Sequence, residues 1–150
     1  MAQELYFDDL DVGRRFESEP FAVTAEAIKA FAESYDPQPF HLDENAAADG
    51  FFGGLVASGW HVAALTMRRF VLEGLPVAGG LIGAGAELQW LRATRPGDTL
   101  RVFSEILECR PSRSRPTRGT VTIRSETRNQ HGAVVQVMTT RIVVPRREPA

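Results

Sequence analysis

The segment that decides the fold is ASGWHVAALTMRRFVLE, residues 57–73. Its composition predicts a long helix whose apolar residues lie around nearly the whole circumference rather than along one stripe. A helix that is apolar all round is buried all round. We therefore expect the rest of the chain to wrap this helix.

The sequence after this helix predicts four long strands, at residues 80–91, 100–109, 120–128 and 134–144. The third alternates cleanly, with Val121 and Ile123 on one face and polar residues on the other. The second alternates in part, and Phe103, which is out of phase, indicates a β-bulge. Polar turns at residues 95–98 and 129–132 separate these strands.

The sequence before the helix predicts a strand at residues 15–23 and two shorter helices. Thr24 is a good N-cap for the first helix, which has an apolar face and ends before Asp36. Asp43 caps the second helix, at residues 43–49. Helices in the first half and long antiparallel strands in the second indicate an α+β fold, with a curved antiparallel sheet wrapped around the long central helix.

The segment DPQPFH, residues 36–41, places a carboxylate and an imidazole five positions apart. Proline fixes its own φ and disfavours helix at the preceding residue, so the two prolines hold Asp36 and Gln38 out of any helix. In a straight chain Asp36 and His41 would lie roughly 16 Å apart. In a bent loop both can flank one water and handle its protons. The spacing alone leaves open an incidental pair on a solvated loop.

Three glycines precede or open the long helix: Gly53, Gly54 and Gly59. Glycine lets a backbone pass close to a ligand. The free N–H groups at a helix start carry partial positive charge, which suits an oxygen that becomes an anion during a reaction. The alternative is that these glycines only permit tight turns under the sheet.

Four arginines fall in one loop with two prolines: Arg110, Arg113, Arg115 and Arg118. Because arginine pairs with phosphate in bidentate geometry, this loop is a candidate clamp for phosphate groups. The alternative is solvated charge on a hairpin.

Two further side chains need an interpretation. His61 lies on the apolar helix, where a hydrogen-bonded core histidine is expected. A metal site built from His61, Asp36 and His41 has no known ligand spacing to support it, so we expect no metal. Trp90 is expected to pack in the core or in a dimer interface rather than to contact a substrate.

The chain has 150 residues, of which 43% are hydrophobic and 24% charged, and this predicts one domain, residues 1–150. A net charge of −2 argues against nucleic-acid binding. Cys109 is the single cysteine, so no intrachain disulfide is expected. With neither a signal peptide nor an apolar run of membrane length, we expect a soluble cytoplasmic protein that does not bind membranes. Arg146 and Arg147 in the polar tail are expected to be solvated.

Residues 36–43, DPQPFHLD, followed by ASG at 57–59, resemble the MaoC-like dehydratases, also called (R)-specific enoyl-CoA hydratases. The family pattern is D-x-N-P-x-H-x-D and then A-H-G. This chain has Gln38 where Asn is usual and Ser58 where His is usual. The resemblance covers nearly the whole chain and continues through GAELQW at 85–90, RPGDTL at 95–100 and RPSRSRP at 110–116.

The resemblance implies the hot-dog form of the predicted fold, and a homodimer, or a higher assembly of dimers, that joins two sheets. It implies addition of water to a trans-2-enoyl-CoA thioester to give a (3R)-3-hydroxyacyl-CoA. Asp36 and His41 would be the acid and base, and the Gly59 N–H would donate to the enolate oxygen. No metal or redox cofactor is expected, because the thioester itself acidifies the α-position; coenzyme A enters only as part of the substrate.

Four residues are predicted to bind substrate. Ser58 replaces the usual His and so bears on substrate choice, Gly54 allows close approach, and Arg113 and Arg115 would hold the phosphates of coenzyme A. Two other functions stay open: a hot-dog acyl-CoA thioesterase, and a non-catalytic acyl-CoA-binding subunit.

Overall fold

The computed structural model describes residues 3–147 of the chain. Within that range six strands form one antiparallel sheet in the order β1-β4-β5-β6-β3, and β2 pairs with the start of β4. The strands are β1 (Arg15–Glu17), β2 (Phe21–Ala22), β3 (Ile82–Trp90), β4 (Thr99–Pro111), β5 (Arg118–Arg128) and β6 (Val134–Pro145). The helices are a 3₁₀ turn (Phe7–Asp9), α1 (Ala25–Tyr35), α2 (Pro39–Leu42), α3 (Glu44–Ala48) and α4 (Gly59–Glu73).

The alternation predicted for β5 is confirmed; β4 up to Ile106 and most of β6 alternate as well, whereas β3 does not. The core therefore lies on one face of the sheet. In β5, Val121 and Ile123 are buried, and Thr122 between them points to the other face and is only partly buried. Successive side chains of a strand point to opposite faces, so one face packs inward and the other carries charge. The strand predicted over residues 15–23 forms two short pieces, β1 and β2, on either side of Pro20.

The predicted bulge in β4 lies elsewhere than Phe103. The pairing with β5 shifts between Ile106 and Glu108, whereas the alternation around Phe103 is regular. Phe103 faces outward in this regular alternation, and the guanidinium groups of Arg101 and Arg128 lie over its ring, 5.4 and 4.1 Å from its centroid. A cation–π contact of this kind lets an aromatic ring occupy the polar face.

The helices before α4 follow their predicted caps. The Thr24 hydroxyl accepts a hydrogen bond from the N–H of Ala27 at 3.1 Å, and α1 ends at Tyr35. The Asp43 carboxylate accepts one from the N–H of Asn45 at 3.1 Å and opens α3. The one-turn helix α2 was not predicted; it begins with a proline at its first position, where the missing N–H costs nothing.

The long helix α4 packs one side against the sheet and exposes the other. The buried side carries His61, Val62, Thr66 and Phe70. The exposed side carries large apolar residues: Trp60, Met67, Val71 and Leu72. The expectation of burial all round is therefore wrong for a single chain, because a sheet of one layer covers only one side of the helix. Both faces of the edge strand β3 are also open over most of its length.

The C-terminal tail is bound to the N-terminal 3₁₀ turn, contrary to the expectation that its arginines are only solvated. Arg146 pairs with the carboxylate of Asp8, and Arg147 pairs with that of Asp9. The backbone N–H of Arg147 also donates to Asp8 at 2.8 Å. These contacts join the two ends of the described chain. None of the helices in residues 3–147 combines the length and apolar content needed to cross a bilayer.

Candidate active site

An open cleft of about 670 Å³ lies where α1 ends and α4 begins. Asp36, His41 and Gly59 contribute to its lining, as do Trp90 at the end of β3 and Val135 at the start of β6. Most of the remaining wall is apolar and aromatic. A cleft with a few polar groups converging on an apolar wall is the usual form of a small-molecule site.

The helix α2 brings the two ends of the DPQPFH segment together. Asp36 is the C-cap of α1, and Gln38 is the N-cap of α2. One helical turn then returns the chain, so that His41 Nε2 lies 3.3 Å from Asp36 Oδ2. The segment is bent, which is the arrangement that lets both groups flank one water. His41 lies on a helix and is buried, so the description of the pair as residues of a solvated loop is wrong.

Both oxygens of the Asp36 carboxylate accept hydrogen bonds from neutral side chains. The Ser58 hydroxyl donates to Oδ2 at 2.7 Å, and the Gln38 amide donates to Oδ1 at 2.6 Å. Partial burial raises the pKa of Asp36, but these two bonds and the nearby His41 ring outweigh it and hold the pKa below its usual value of 3.8. Donors to the charged form favour that form. Asp36 is therefore a carboxylate at neutral pH.

The tautomer of His41 is set by the backbone. His41 Nδ1 lies 2.7 Å from the carbonyl oxygen of Val56, which can only accept a hydrogen bond. Nδ1 therefore carries a proton, and Nε2 faces Asp36. When the ring is neutral, Nε2 presents a lone pair, so a lone pair and a carboxylate oxygen lie 3.3 Å apart. Such an arrangement needs a proton or a water between the two atoms, and this is the property expected of a proton-handling site.

Gly59 is the first residue of α4, and its N–H finds no acceptor among residues 3–147. Ser58 is the N-cap, and its hydroxyl oxygen accepts from the N–H of Trp60 at 3.2 Å. Ser58 is fully buried, so it holds Asp36 and the helix start in place rather than facing the cleft as a substrate contact. The structure thus brings together Asp36, His41 and Gly59, with Ser58 behind them.

The other predicted substrate-binding residues lie away from this cleft within one chain. Gly54 is not part of the lining and sits beside Arg95, whose Nη1 would be 3.3 Å from an added Cβ. Arg113 and Arg115 lie in the hairpin between β4 and β5, at the opposite end of the sheet from Trp90. That separation is about 30 Å, because some nine residues of β6 lie between the two ends.

Two features of this region differ from the sequence interpretation. Trp90 lines the cleft and is 44% exposed, so it does not lie in the core of the single chain; its place in a dimer interface stays a prediction. His61 is buried and stacks on Phe31 with ring centroids 4.8 Å apart, but its Nδ1 has no hydrogen-bond partner within the described residues. Burial lowers the pKa of His61, so the ring is neutral at physiological pH. The rings of Trp60 and Trp90 also lie close together in this region. No sequence pattern predicts that contact, because it depends on how α4 lies against β3.

No group of three histidine, cysteine, aspartate or glutamate side chains in residues 3–147 is arranged to hold a metal ion. His61 faces Phe31 rather than the acid–base pair.

The fold and the site together define a class of protein: a hot-dog domain with an aspartate–histidine pair at the N-terminal end of its central helix. The particular family follows from comparison with known proteins. A model of the MaoC-like domain matches residues 9–129, and the chain belongs to this family.

Two solved structures match nearly the whole chain, and a further relative matches about three quarters of it. The MaoC-like dehydratase of Rhodospirillum rubrum is 57% identical, with a TM-score of 0.93 over 97% of this chain and 99% of that one. An R-hydratase of Pseudomonas aeruginosa is 28% identical, with a TM-score of 0.77 over 98% of this chain and 92% of that one. The 3-hydroxybutyryl-CoA dehydratase of Methylorubrum extorquens is 33% identical over 74% of this chain and 69% of that protein. The predicted hot-dog fold and family resemblance are confirmed, and the family supports a hydratase or dehydratase role.

Proposed function

We propose that the protein is an enoyl-CoA hydratase that adds water to a trans-2-enoyl-CoA and gives a (3R)-3-hydroxyacyl-CoA. The observation that carries the proposal is the 3.3 Å approach of His41 Nε2 to an ionised Asp36, in a cleft that also contains the first residue of α4. Named relatives that act as R-hydratases or as a 3-hydroxybutyryl-CoA dehydratase support the reaction class.

The chemistry follows from the protonation states. A water between Asp36 and His41 donates one hydrogen bond to each of them. Its oxygen attacks the β-carbon of the enoyl thioester while its proton passes to His41 Nε2, and the Asp36 carboxylate stabilises the resulting imidazolium. The electron pair of the carbon–carbon double bond forms a new double bond between the α-carbon and the carbonyl carbon, and the carbonyl pair moves onto the thioester oxygen. The Gly59 N–H stabilises the resulting enolate oxygen. The proton then returns to the α-carbon, so the sum is the addition of one water.

A second copy of the chain completes the surface in this proposal. Among residues 3–147 the outer edge of β3 has no paired strand. Its last residue, Trp90, meets Trp60 on the exposed apolar side of α4, with 5.2 Å between ring centroids. Unpaired edges and apolar patches call for cover. If two β3 strands pair antiparallel, the Ile82 end of one copy lies beside the Trp90 end of the other.

This pairing gives the arginine hairpin a role. The hairpin belongs to the Ile82 end of the sheet, since Arg118 pairs with Pro145 and Ile82 with Val143. Antiparallel pairing therefore brings the second copy's Arg113 and Arg115 to the end of the dimer that holds this chain's cleft. There they would reach the phosphates of coenzyme A while the acyl group occupies the cleft. A monomer by light scattering at micromolar concentration would contradict the dimer and this role of the hairpin.

Crotonyl-CoA tests the function against its two alternatives. A hydratase consumes the enoyl thioester without releasing thiol, a thioesterase releases free coenzyme A, and a binding subunit leaves the compound unchanged. We expect hydration, with a product that an S-specific 3-hydroxyacyl-CoA dehydrogenase does not oxidise. Release of coenzyme A, or no reaction under conditions where the protein is folded and dimeric, would reject the proposal.

A further inference from the structure

A chain of buried polar side chains links the inner face of the sheet to α4. The indole N–H of Trp90 donates to Gln136 Oε1 at 3.0 Å, and Gln136 Nε2 donates to Thr66 Oγ1 at 3.1 Å. Thr66 Oγ1 in turn lies 2.7 Å from Thr127 Oγ1. Gln136, Thr66 and Thr127 are each fully buried. The network therefore joins β3, β6, β5 and α4 through side chains alone.

The Trp90 ring at the end of this network lies against the backbone of Gly59. A Cβ built on Gly59 would be 2.5 Å from Trp90 Cε2 and 2.8 Å from Trp90 Nε1. Only a glycine fits there while the indole keeps its hydrogen bond. The ring therefore lies in direct contact with the residue whose N–H is the proposed donor to the enolate oxygen.

Simple packing does not account for this arrangement. Trp90 is 44% exposed, so its burial contributes less than that of a core tryptophan. A buried amide and two buried hydroxyls lower the stability of the fold unless each is hydrogen-bonded. Apolar residues would fill the same interior without that requirement. What the network does provide is a fixed orientation of the indole, and through Thr66 a fixed position of α4 over the sheet.

We propose that Trp90 is a positioning residue that aligns the Gly59 N–H with Asp36 and His41, and that Gln136, Thr66 and Thr127 hold Trp90 in that position. The inference rests on the proposed function, because it concerns the donor to an enolate. It adds to that function a set of residues that the acid–base pair does not need for its own contacts. Thr66 is 7 residues from Gly59 along the chain, whereas Trp90, Thr127 and Gln136 are 31, 68 and 77 residues away.

Three variants and one control test this. Trp90→Phe removes the N–H donor, Gln136→Leu removes its acceptor, and the double variant removes both, so that no buried partner of that bond is left unpaired. Replacing both partners of a buried hydrogen bond is far less destabilising than replacing one. Ser125→Ala is the matched control. Ser125 carries a buried hydroxyl on the same strand as Thr127, and within residues 3–147 this hydroxyl bonds only to that of Ser104, at 2.7 Å.

Loss of one oxyanion donor typically lowers kcat by about a hundred- to a thousandfold, so a misaligned donor should lower it by about tenfold. We expect a loss of this size in kcat for each single variant with little change in KM. In the double variant the thermal midpoint should lie above those of the single variants, but below that of the wild type because Thr66 still lacks its bond from Gln136, while kcat stays low. Ser125→Ala should lower the midpoint and leave kcat unchanged. Recovery of kcat together with the midpoint in the double variant, or wild-type kcat in both single variants, would overturn the inference.

A second readout separates this inference from the hydration reaction. Acetoacetyl-CoA forms an enolate with its own ultraviolet absorbance band, and a site that stabilises an enolate oxygen increases that band on binding. We expect the wild-type protein to increase it, and Trp90→Phe and Gln136→Leu to reduce the increase at saturating ligand. If crotonyl-CoA were not hydrated, the proposed function would fail while this measurement still reported on the donor. An increase in the band that is the same in all proteins, or no increase in any, rejects the positioning role.

Discussion

Ser58→Ala is the most informative single change to the proposed site. It deletes one buried oxygen atom, so no new group has to be accommodated, and it leaves the glycine that follows in place. Two contacts disappear together: the 2.7 Å hydrogen bond to Asp36 Oδ2 and the 3.2 Å cap on the N–H of Trp60. Among the described residues Gln38 then remains as the only neutral side chain that donates to the carboxylate.

The size of the effect follows from these two contacts. A hydrogen bond to a charged group is worth about 1.5–3 kcal/mol, and loss of an N-cap about 1 kcal/mol. Because one hydroxyl makes both contacts, we expect the free energy of unfolding to fall by about 2 kcal/mol at neutral pH. The pKa of Asp36 should rise toward its usual value of 3.8 or above it, since burial then faces weaker opposition.

The pH dependence gives the sign of the effect. In the wild type the folded-state pKa of Asp36 is lowered, so its contribution to stability is present above pH 3.8 and is lost as the pH falls toward the folded-state value. In Ser58→Ala this contribution is smaller. The acidic limb of kcat/KM should therefore move to higher pH, because the ionised carboxylate is needed in the free enzyme.

The assay is hydration of crotonyl-CoA across the acidic range, with thermal unfolding measured at each pH. Ser104→Ala is the control: Ser104 is a buried hydroxyl bonded to Ser125 and away from the cleft, so its loss should reduce stability without moving the acidic limb. A Ser58→Ala profile that coincides with the wild type on the acidic side would show that this hydroxyl does not hold Asp36 ionised.

Three further predictions concern other residues of the site and its surroundings. Asp36→Asn and His41→Ala should each lower kcat by about a hundred- to ten-thousandfold. The double variant should be little worse than the poorer single one because both residues act on one water. Hydration by Asp36→Asn at near the wild-type rate would refute the catalytic role of the pair. Arg113→Ala combined with Arg115→Ala should weaken binding of CoA esters but not of pantetheine esters, and an equal loss for both would exclude phosphate recognition by the hairpin. Burial lowers the pKa of His61, so the wild type should lose stability as the pH falls below 6.5, whereas His61→Phe should not; parallel stability curves for the two proteins would contradict this.

The proposed acid–base pair, Asp36 and His41, was predictable from the sequence, but the contacts around it were not. Asp36 and His41 were identified as a candidate pair from two prolines and a five-residue spacing. Proline restricts only its own residue and its immediate neighbour, so these features could not predict how the segment bends. The bend that joins them needs α2, and the His41 tautomer needs the carbonyl of Val56, 15 residues away. Neither the bend nor that contact follows from the pattern of the segment.

The secondary structure, apart from α2, was determined by the local sequence. The caps at Thr24 and Asp43, the end of α1 before Pro37, and the alternation of Val121 and Ile123 all depend on neighbours within a few residues. For that reason α1, α3, α4, the long strands and the α+β class were predictable, whereas the one-turn helix α2 was not predicted. The family motif added the hot-dog arrangement, since the residues that carry it lie in short segments.

Long-range contacts were decided by the tertiary structure alone. Ser58 bonds to Asp36 across 22 residues, Trp90 to Gln136 across 46, and Gln136 to Thr66 across 70. Each contact depends on the relative position of separate elements, and no local pattern records that position. The same reason explains why α4 is apolar all round yet buried on one side only. The composition of the helix indicates how much apolar surface must be covered, whereas tertiary packing determines which element covers it.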